Sequence, residues 1–250
     1  MSEQVTVRPM ARTFTERALE TRKLERWTQV YRDKPDLFRR FERAEDPEGR
    51  AAVALAELSA LAGQRVLEIG CGTGWLTRHI AESAGTYVAV EPKSEMLDHA
   101  GDLSPAHVLR ARGEFLPFPA GCFDRIVMSW VLLDLRPKVR ERLLAECERV
   151  LDPQSSGPGK PGIWVVENAN SGDFQALRNM VDDEGLGELS PLVEQHGFVP
   201  VKTVATTLRF ENEAEALRVL SAILGSQVAA QLQADPRGQM GLDLCVLARE

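Results

Sequence analysis

The 250-residue chain is short of several things, and each shortage removes a class of function. Its four cysteines, Cys71, Cys122, Cys147 and Cys245, are widely spaced and form no C-x-x-C pair. That spacing offers neither a zinc site nor a disulfide framework, and it suits a reducing compartment. Hydrophobic residues make up 44% of the chain, yet no run of eighteen apolar residues occurs, so no membrane partner is expected. The opening M-S-E-Q-V-T-V-R-P-M lacks the apolar core of a signal peptide, which predicts a cytoplasmic protein. Excess positive charge is missing as well: the net formal charge is −7, with +2 on residues 1–50 and −9 on the rest. Nucleic-acid affinity needs clustered Lys and Arg against phosphates, so this balance argues against nucleic acid and against an acidic carrier protein. Histidine is scarce too. His79, His99, His107 and His196 fall on helices or strand starts, and no H-E-x-x-H constellation exists, so no metal and no histidine base are expected.

What the chain does have is one dense stretch, R-V-L-E-I-G-C-G-T-G-W-L-T-R-H-I, from Arg65 to Ile80. Val66, Leu67 and Ile69 form a short apolar run suited to a buried parallel strand. Gly70, Gly72 and Gly74 end it, and Trp75, Leu76 and Ile80 continue at near-helical spacing. A glycine turn between strand and helix lets backbone approach a ligand and aims free helix N–H groups at it. The spacing is G-x-G-x-G, with Trp75 in place of the third glycine of a dinucleotide fingerprint. Glu68 precedes the turn, where a carboxylate repels a pyrophosphate but suits an ammonium or a sulfonium. Those features favour S-adenosylmethionine over a dinucleotide. Glu91 ends the next run, Tyr87-Val-Ala-Val, where an acid accepts hydrogen bonds from both ribose hydroxyls of either cofactor.

With these motifs in hand, the chain resembles the class I S-adenosylmethionine-dependent methyltransferases. V-L-E-I-G-C-G-T-G-W-L is similar to their first motif and V-A-V-E-P to their second; R-G-E-F-L-P-F-P-A-G-C-F-D-R-I-V-M-S-W is similar to the third and fourth. The likeness covers roughly Val53 to Glu167 and is closest to the small-molecule branch that includes the ubiquinone and menaquinone methyltransferases. It implies an α/β fold with a doubly wound, mostly parallel seven-stranded sheet, Rossmann-like, and an N-terminal helical extension. It also implies that Glu68, Gly70, Cys71, Gly72, Gly74, Glu91, Pro92, Met96, Gly113, Glu114, Ser129 and Trp130 line the cofactor. Met96 would pack on the adenine, for which an apolar, polarisable thioether is suited. One departure stands out: the family has Asp before Gly113, and this chain has Arg112, which carries no acceptor. Glu114 or a backbone carbonyl must then receive the adenine amino group, or the adenine end is bound differently. Cys71 reads as a small loop residue and not as a nucleophile.

The rest of the chain divides into residues 1–45, a helical extension, and 46–250, the cofactor-binding domain. In the extension Thr13 and Glu16 have the form of a capping box, Leu24, Trp27 and Tyr31 share a helical face, and Leu37, Phe38 and Phe41 mark a second piece. In the resembled family such helices close over substrate, so Trp27 and Tyr31 are candidate lid residues, although an aromatic stripe also fits core. Asp46-Pro47 predicts the start of a helix running to Leu61. Beyond Glu91 the pattern alternates: a helix from Ser94 to Ala100, strands at His107–Ala111 and Phe123–Trp130, a helix from Pro137 to Leu151, and a strand from Ile163 to Glu167. Residues 152–162 read as an inserted loop. Helical pieces follow at 174–181 and 191–196, then a strand at 199–210, one helix from Glu213 to Gln233 and a last strand at 241–248. Ser129 and Trp130 lie where the fourth strand's carboxyl end meets the crevice. Asp134 and Asn168 are candidate substrate residues beside them, with a solvated helix-capping role the competing reading for Asp134.

Methyl transfer from a sulfonium needs mainly alignment, which supplies on the order of 7–11 kcal/mol, and no catalytic group is assigned. The sequence does not name the acceptor; a small molecule is expected, with tRNA or protein as alternatives. A nicotinamide reductase lacks its third glycine and its Tyr-x-x-x-Lys here. A non-catalytic S-adenosylmethionine-binding module stays open because of Arg112.

Overall fold

The computed structural model of the protein describes residues 33–155, 162–180 and 189–249. Two helices come first, α1 (Pro35–Ala44) and α2 (Arg50–Ser59). The alternating part holds β1 (Arg65–Ile69), α3 (Trp75–Ile80), β2 (Thr86–Glu91), α4 (Ser94–Leu97), β3 (His107–Arg110), β4 (Arg125–Ser129), α5 (Pro137–Val150) and β5 (Gly162–Asn168). It continues with α6 (Asp173–Asn179), a π-helical turn (Pro191–Gln195), β6 (Val199–Arg209), α7 (Glu213–Leu224), α8 (Ser226–Ala234) and β7 (Gln239–Arg249). The strands form one seven-stranded sheet in the order β3-β2-β1-β4-β5-β7-β6. Strands β1 to β5 are parallel, and β7 runs antiparallel to both β5 and β6. The expected α/β, doubly wound, mostly parallel sheet is what the chain forms.

The continuous apolar runs of the central strands follow from burial on both faces. Val66, Ala89, Val127, Val166, Leu244 and Val246 pack against Phe41, Leu55, Leu76, Phe174 and Leu220 of the helices on one side. Their neighbours Leu67, Val90, Ile126, Met128, Val165 and Leu247 pack against Leu143, Leu144 and Cys147 of α5 and against Phe198 on the other. Alternation by one residue thus feeds two separate cores. Helix α1 belongs to the first of them, since Phe38 and Phe41 are only 8% and 3% exposed. Trp27, Tyr31, the Thr13 to Glu16 box, residues 156–161 of the predicted insertion and residues 181–188 lie outside the described residues.

Two of the differences from expectation have clear local reasons. The helix predicted from Asp46 starts instead at Arg50, after a turn in which Gly49 has φ +65°. Asp46 still caps it from a distance: its two carboxylate oxygens accept from the backbone N–H groups of Arg50 at 3.0 Å and Ala51 at 2.8 Å. The helix predicted from Glu213 to Gln233 is two helices, because Gly225 (φ +97°, ψ −172°) turns the chain between α7 and α8. Among the described residues no helix is long and apolar enough to cross a membrane.

Candidate active site

The glycine turn after β1 is held by the end of β2. The backbone N–H groups of Gly70 and Cys71 both donate to the Val90 carbonyl, at 2.8 and 3.1 Å. All three glycines of the turn have positive φ, +76°, +56° and +92° for Gly70, Gly72 and Gly74. Two are also closed by neighbours: a Cβ on Gly70 would lie 2.6 Å from Cγ2 of Val131, and one on Gly74 would lie 2.3 Å from Cδ2 of Leu103. Gly72 differs, meeting only Glu42 Oε1 and the Met96 methyl at an ordinary 3.5 Å. The loop is therefore pinned at both ends and less crowded in the middle, where the Met96 methyl stands. Glu91, 6% exposed, accepts from Gly72 N–H at 3.1 Å through Oε2 and from Lys93 N–H at 3.0 Å through Oε1. Each oxygen keeps a second lone pair for a ligand hydroxyl. Burial, opposed by those two bonds, raises its carboxyl above the usual range. Pro92, next in line, offers its carbonyl to Arg110.

Several expected cofactor residues have structural work that the sequence reading did not assign them. Glu68 shares a strand face with Val66 and turns under α3, away from an exposed position at the loop: it is 1% exposed, and Oε2 accepts from the hydroxyls of Thr77 and Tyr87. Burial pushes its carboxyl up to about 7, against the lowering effect of those two donors. Its Oε1 has no partner among the described residues, which leaves one acceptor over near the loop. Gly113 is glycine because of packing, since a Cβ there would lie 2.6 Å from Leu143 and 2.9 Å from Ile69. Cys71 is buried and its thiol is pushed far up by burial and by the carboxylates of Glu68 and Glu91, which disables it as a nucleophile. Arg112, the departure from the resembled family, donates through Nε to Glu114 at 2.9 Å and so holds that carboxylate in place.

A second wall of the crevice forms where β4 and β5 end side by side, Ser129 pairing with Val166. Trp130 follows with φ +51°, an uncommon conformation for a bulky side chain. Its ring lies 4.7 Å from that of Trp75, and its Nε1 donates to Asn168 Oδ1 at 3.4 Å. Asp134 is not the solvated helix cap of the competing sequence reading: α5 opens at Pro137 behind Arg136, and Asp134 is half-buried in the preceding turn. Burial pushes its carboxyl up to about 6, offset by the charges of Arg178, Lys93 and Arg140. Glu167, 3% exposed, is pushed up to about 8 by burial and then by Asp134, while backbone N–H groups of Leu133 and Leu132 oppose the shift. Glu45, 5% exposed at the end of α1, lies well above the usual range through burial, with Glu42, Asp134 and Asp46 adding to the shift and Arg178 opposing it. Arg178 sits over the Phe174 ring at 5.9 Å on α6.

Trp75, Glu42, Glu45, Glu167 and Arg178 are the site residues that sequence reasoning missed. Trp75 carried a signal, standing where a dinucleotide fingerprint has glycine. Glu45 and Arg178 carried none, being ordinary charged residues on amphipathic helices. A separate concavity of about 600 Å³ opens on the outer side of α1 among Arg39, Arg40, Arg43, Arg209 and Arg218. Three of those arginines pair with Asp36, Glu215 and Glu48.

The less crowded centre of the glycine loop, the spare lone pairs of Glu91 and the leftover Oε1 of Glu68 fit a ligand with hydroxyls and a cationic end. The methyltransferase-domain family matches residues 67–156 of this chain. A relative from Oceanobacillus iheyensis, an uncharacterized methyltransferase, is 26% identical over 155 residues, covering 60% of this chain and 69% of that protein. Another, from Synechocystis, is 31% identical over 100 residues, covering 40% of this chain and 47% of that protein. Among solved structures, a SAM-dependent methyltransferase from Thermotoga maritima superposes with a TM-score of 0.55 at 18% identity, over 89% of this chain and 98% of that one. The YcgJ protein of Bacillus subtilis does so with a TM-score of 0.51 at 16% identity, over 78% and 97%. At such identities the two structures speak for the fold.

Proposed function

We propose that the protein is an S-adenosylmethionine-dependent methyltransferase that methylates an O, N or C nucleophile of a small molecule held between α1, α6 and the ends of β4 and β5. One observation carries this reading: the loops after β1 and β4 touch, with Val131 against the space a Cβ on Gly70 would take. A cofactor cradled by the glycine loop then presents its far end to the wall formed by Trp130, Asp134 and Asn168. When bound, S-adenosylmethionine supplies an activated methyl group on a sulfonium. The chain's own part is to hold and align. Glu91 accepts the ribose hydroxyls, Met96 packs beside the base, and Arg112 orients Glu114 toward the adenine amino group. Trp75 and Trp130 close one side and exclude water from the transfer path.

The motif likeness to ubiquinone and menaquinone methyltransferases supports a small-molecule acceptor, and the acidic balance of the chain supports it over tRNA, a nucleic acid or a membrane partner. A cytoplasmic location belongs to the same reading. So does a division at residue 45, with residues 1–45 covering the acceptor and Trp27 and Tyr31 in the cover. Calorimetry tests the cofactor assignment. Binding of S-adenosylmethionine and S-adenosylhomocysteine with no heat from NAD is expected; tight NAD binding with neither of the others would overturn it.

A further inference from the structure

We infer that the concavity on the outer side of α1 binds a small molecule carrying more than one phosphate group. None of its lining residues belongs to the glycine loop or to the ends of β4 and β5, so it is separate from the crevice. Its volume of about 600 Å³ is that of a small-molecule site. Five arginines from three elements line it: Arg39, Arg40 and Arg43 of α1, Arg209 at the end of β6 and Arg218 of α7. Among the described residues only three acids share the lining, Asp36, Glu211 and Glu215, and two of them are already engaged. Asp36 pairs with Arg39. Glu215 accepts from Arg40 at 2.5 Å through Oε1 and from the backbone N–H of Glu211 at 2.8 Å through Oε2. Arg209 is held from outside the lining, by Glu48 at 2.6 Å and by Gln239 at 3.2 Å. Arg43 and Arg218 are exposed and form no ion pair among the described residues, and Glu211 pairs with neither. A further donor is left over at Arg39, whose Nε is buried without a hydrogen-bond partner among the described residues.

Guanidinium groups gathered in a concavity raise a positive field that its walls focus, and that field draws an anion. The anion gains donors that the fold itself does not satisfy: the forks of Arg43 and Arg218 and the buried Nε of Arg39. Each fork matches phosphate oxygens two at a time. Forks that start from α1, β6 and α7 arrive from different directions. A tetrahedral phosphate accepts from all of them, whereas a planar carboxylate accepts near its own plane. One phosphate does not occupy that many donors in a space of about 600 Å³, and two or more do. Leu37 and Phe210, also in the lining, give the rest of the molecule an apolar contact. A nucleic-acid strand would need a basic track and stacking platforms beyond this basin, and the net formal charge of −7 opposes it.

The test is calorimetry on the whole chain with inorganic phosphate, pyrophosphate and citrate, all at one ionic strength set with sodium chloride. Pyrophosphate is expected to bind at a single site, about tenfold or more tighter than phosphate and than citrate. Arg43→Gln and Arg218→Gln, both at exposed positions, should each weaken it about tenfold with an unchanged Tm. Arg142→Gln, at an exposed arginine of α5, should leave the affinity as it was. Absence of pyrophosphate binding overturns the inference, and so does citrate binding as tight as that of pyrophosphate. An equal loss in all three variants also overturns it, by assigning the effect to net charge. Unchanged affinity in Arg43→Gln or Arg218→Gln does the same, by putting the anion elsewhere on the chain.

Discussion

Half of the crevice, from Arg65 to Met96, comes from one continuous stretch, whereas the other half collects Glu45, Trp130, Asp134, Glu167 and Arg178 from four separate segments. The first half is dominated by backbone: positive-φ glycines, amide donors and one carboxyl group, Glu91, tied to two of those amides. The second is dominated by side chains whose charges act on one another across the gap. On the proposed function the backbone cradle takes the cofactor, which every turnover shares. On the same reading the side chains gathered from separate segments face the acceptor. Helix α1 runs beside the loop, with Glu42 against Gly72 and Thr73, Phe41 in the core and Glu45 buried at its end.

The packing of α1 is the first place to break the comparison. Phe41 is 3% exposed and its ring lies 5.7 Å from that of Phe174, so Phe41→Ala should lower stability by about 3–5 kcal/mol in urea unfolding. An unchanged midpoint would make α1 a mere cover. Next, Glu91→Ala should weaken cofactor binding by roughly 2–4 kcal/mol with an intact melting transition, because two hydroxyls lose a charged acceptor. Calorimetry showing the unaltered dissociation constant would remove Glu91 from the ribose and the backbone half from its role. A smaller effect is expected at Asp46, whose carboxylate accepts from the first turn of α2 and from Thr206. Asp46→Ala should cost about 1–2 kcal/mol of stability, read as a lower Tm, without selective loss of cofactor.

The smallest effect is a slope with pH, and its sign sharpens the contrast. Asp134 and Glu167 stand at about 6 and about 8, above their unfolded values, so the folded ligand-free protein binds more protons than the unfolded chain. Their contribution is full below the unfolded values and is lost as pH rises through about 6 to 8. Asp124, held down to about 2 by Arg65, does the reverse, stabilising above its unfolded value and failing only in strong acid. Tm of the ligand-free protein should therefore fall from pH 6 to pH 8, and Glu167→Gln should flatten that fall. A Tm that rises over the same interval would show that the acids of the second wall are not buried as a group.

The backbone half was legible because each of its parts is local. Val66 to Ile69 reads as a strand, Gly70 to Gly74 as a turn, and Glu91 follows from the end of the next apolar run. Even there the burial of Glu68 and its bonds to Thr77 and Tyr87 were not legible, since they depend on which helix covers the strand. The half built from side chains carried fewer signals. Ser129, Trp130 and Asn168 could be placed at strand ends, but Asp134 also read as a cap, and nothing in the sequence pointed to Glu45 or Arg178.

The sequence by itself determined the sheet and the glycine loop, because hydrophobic period and glycine placement act within a few residues of themselves. The tertiary structure decided where Glu45, Asp134 and Glu167 go and how far burial raises their carboxyl groups. The reason is physical: a carboxylate's charge state depends on the dielectric and the charges around it, and these come from segments that meet only after the chain has folded.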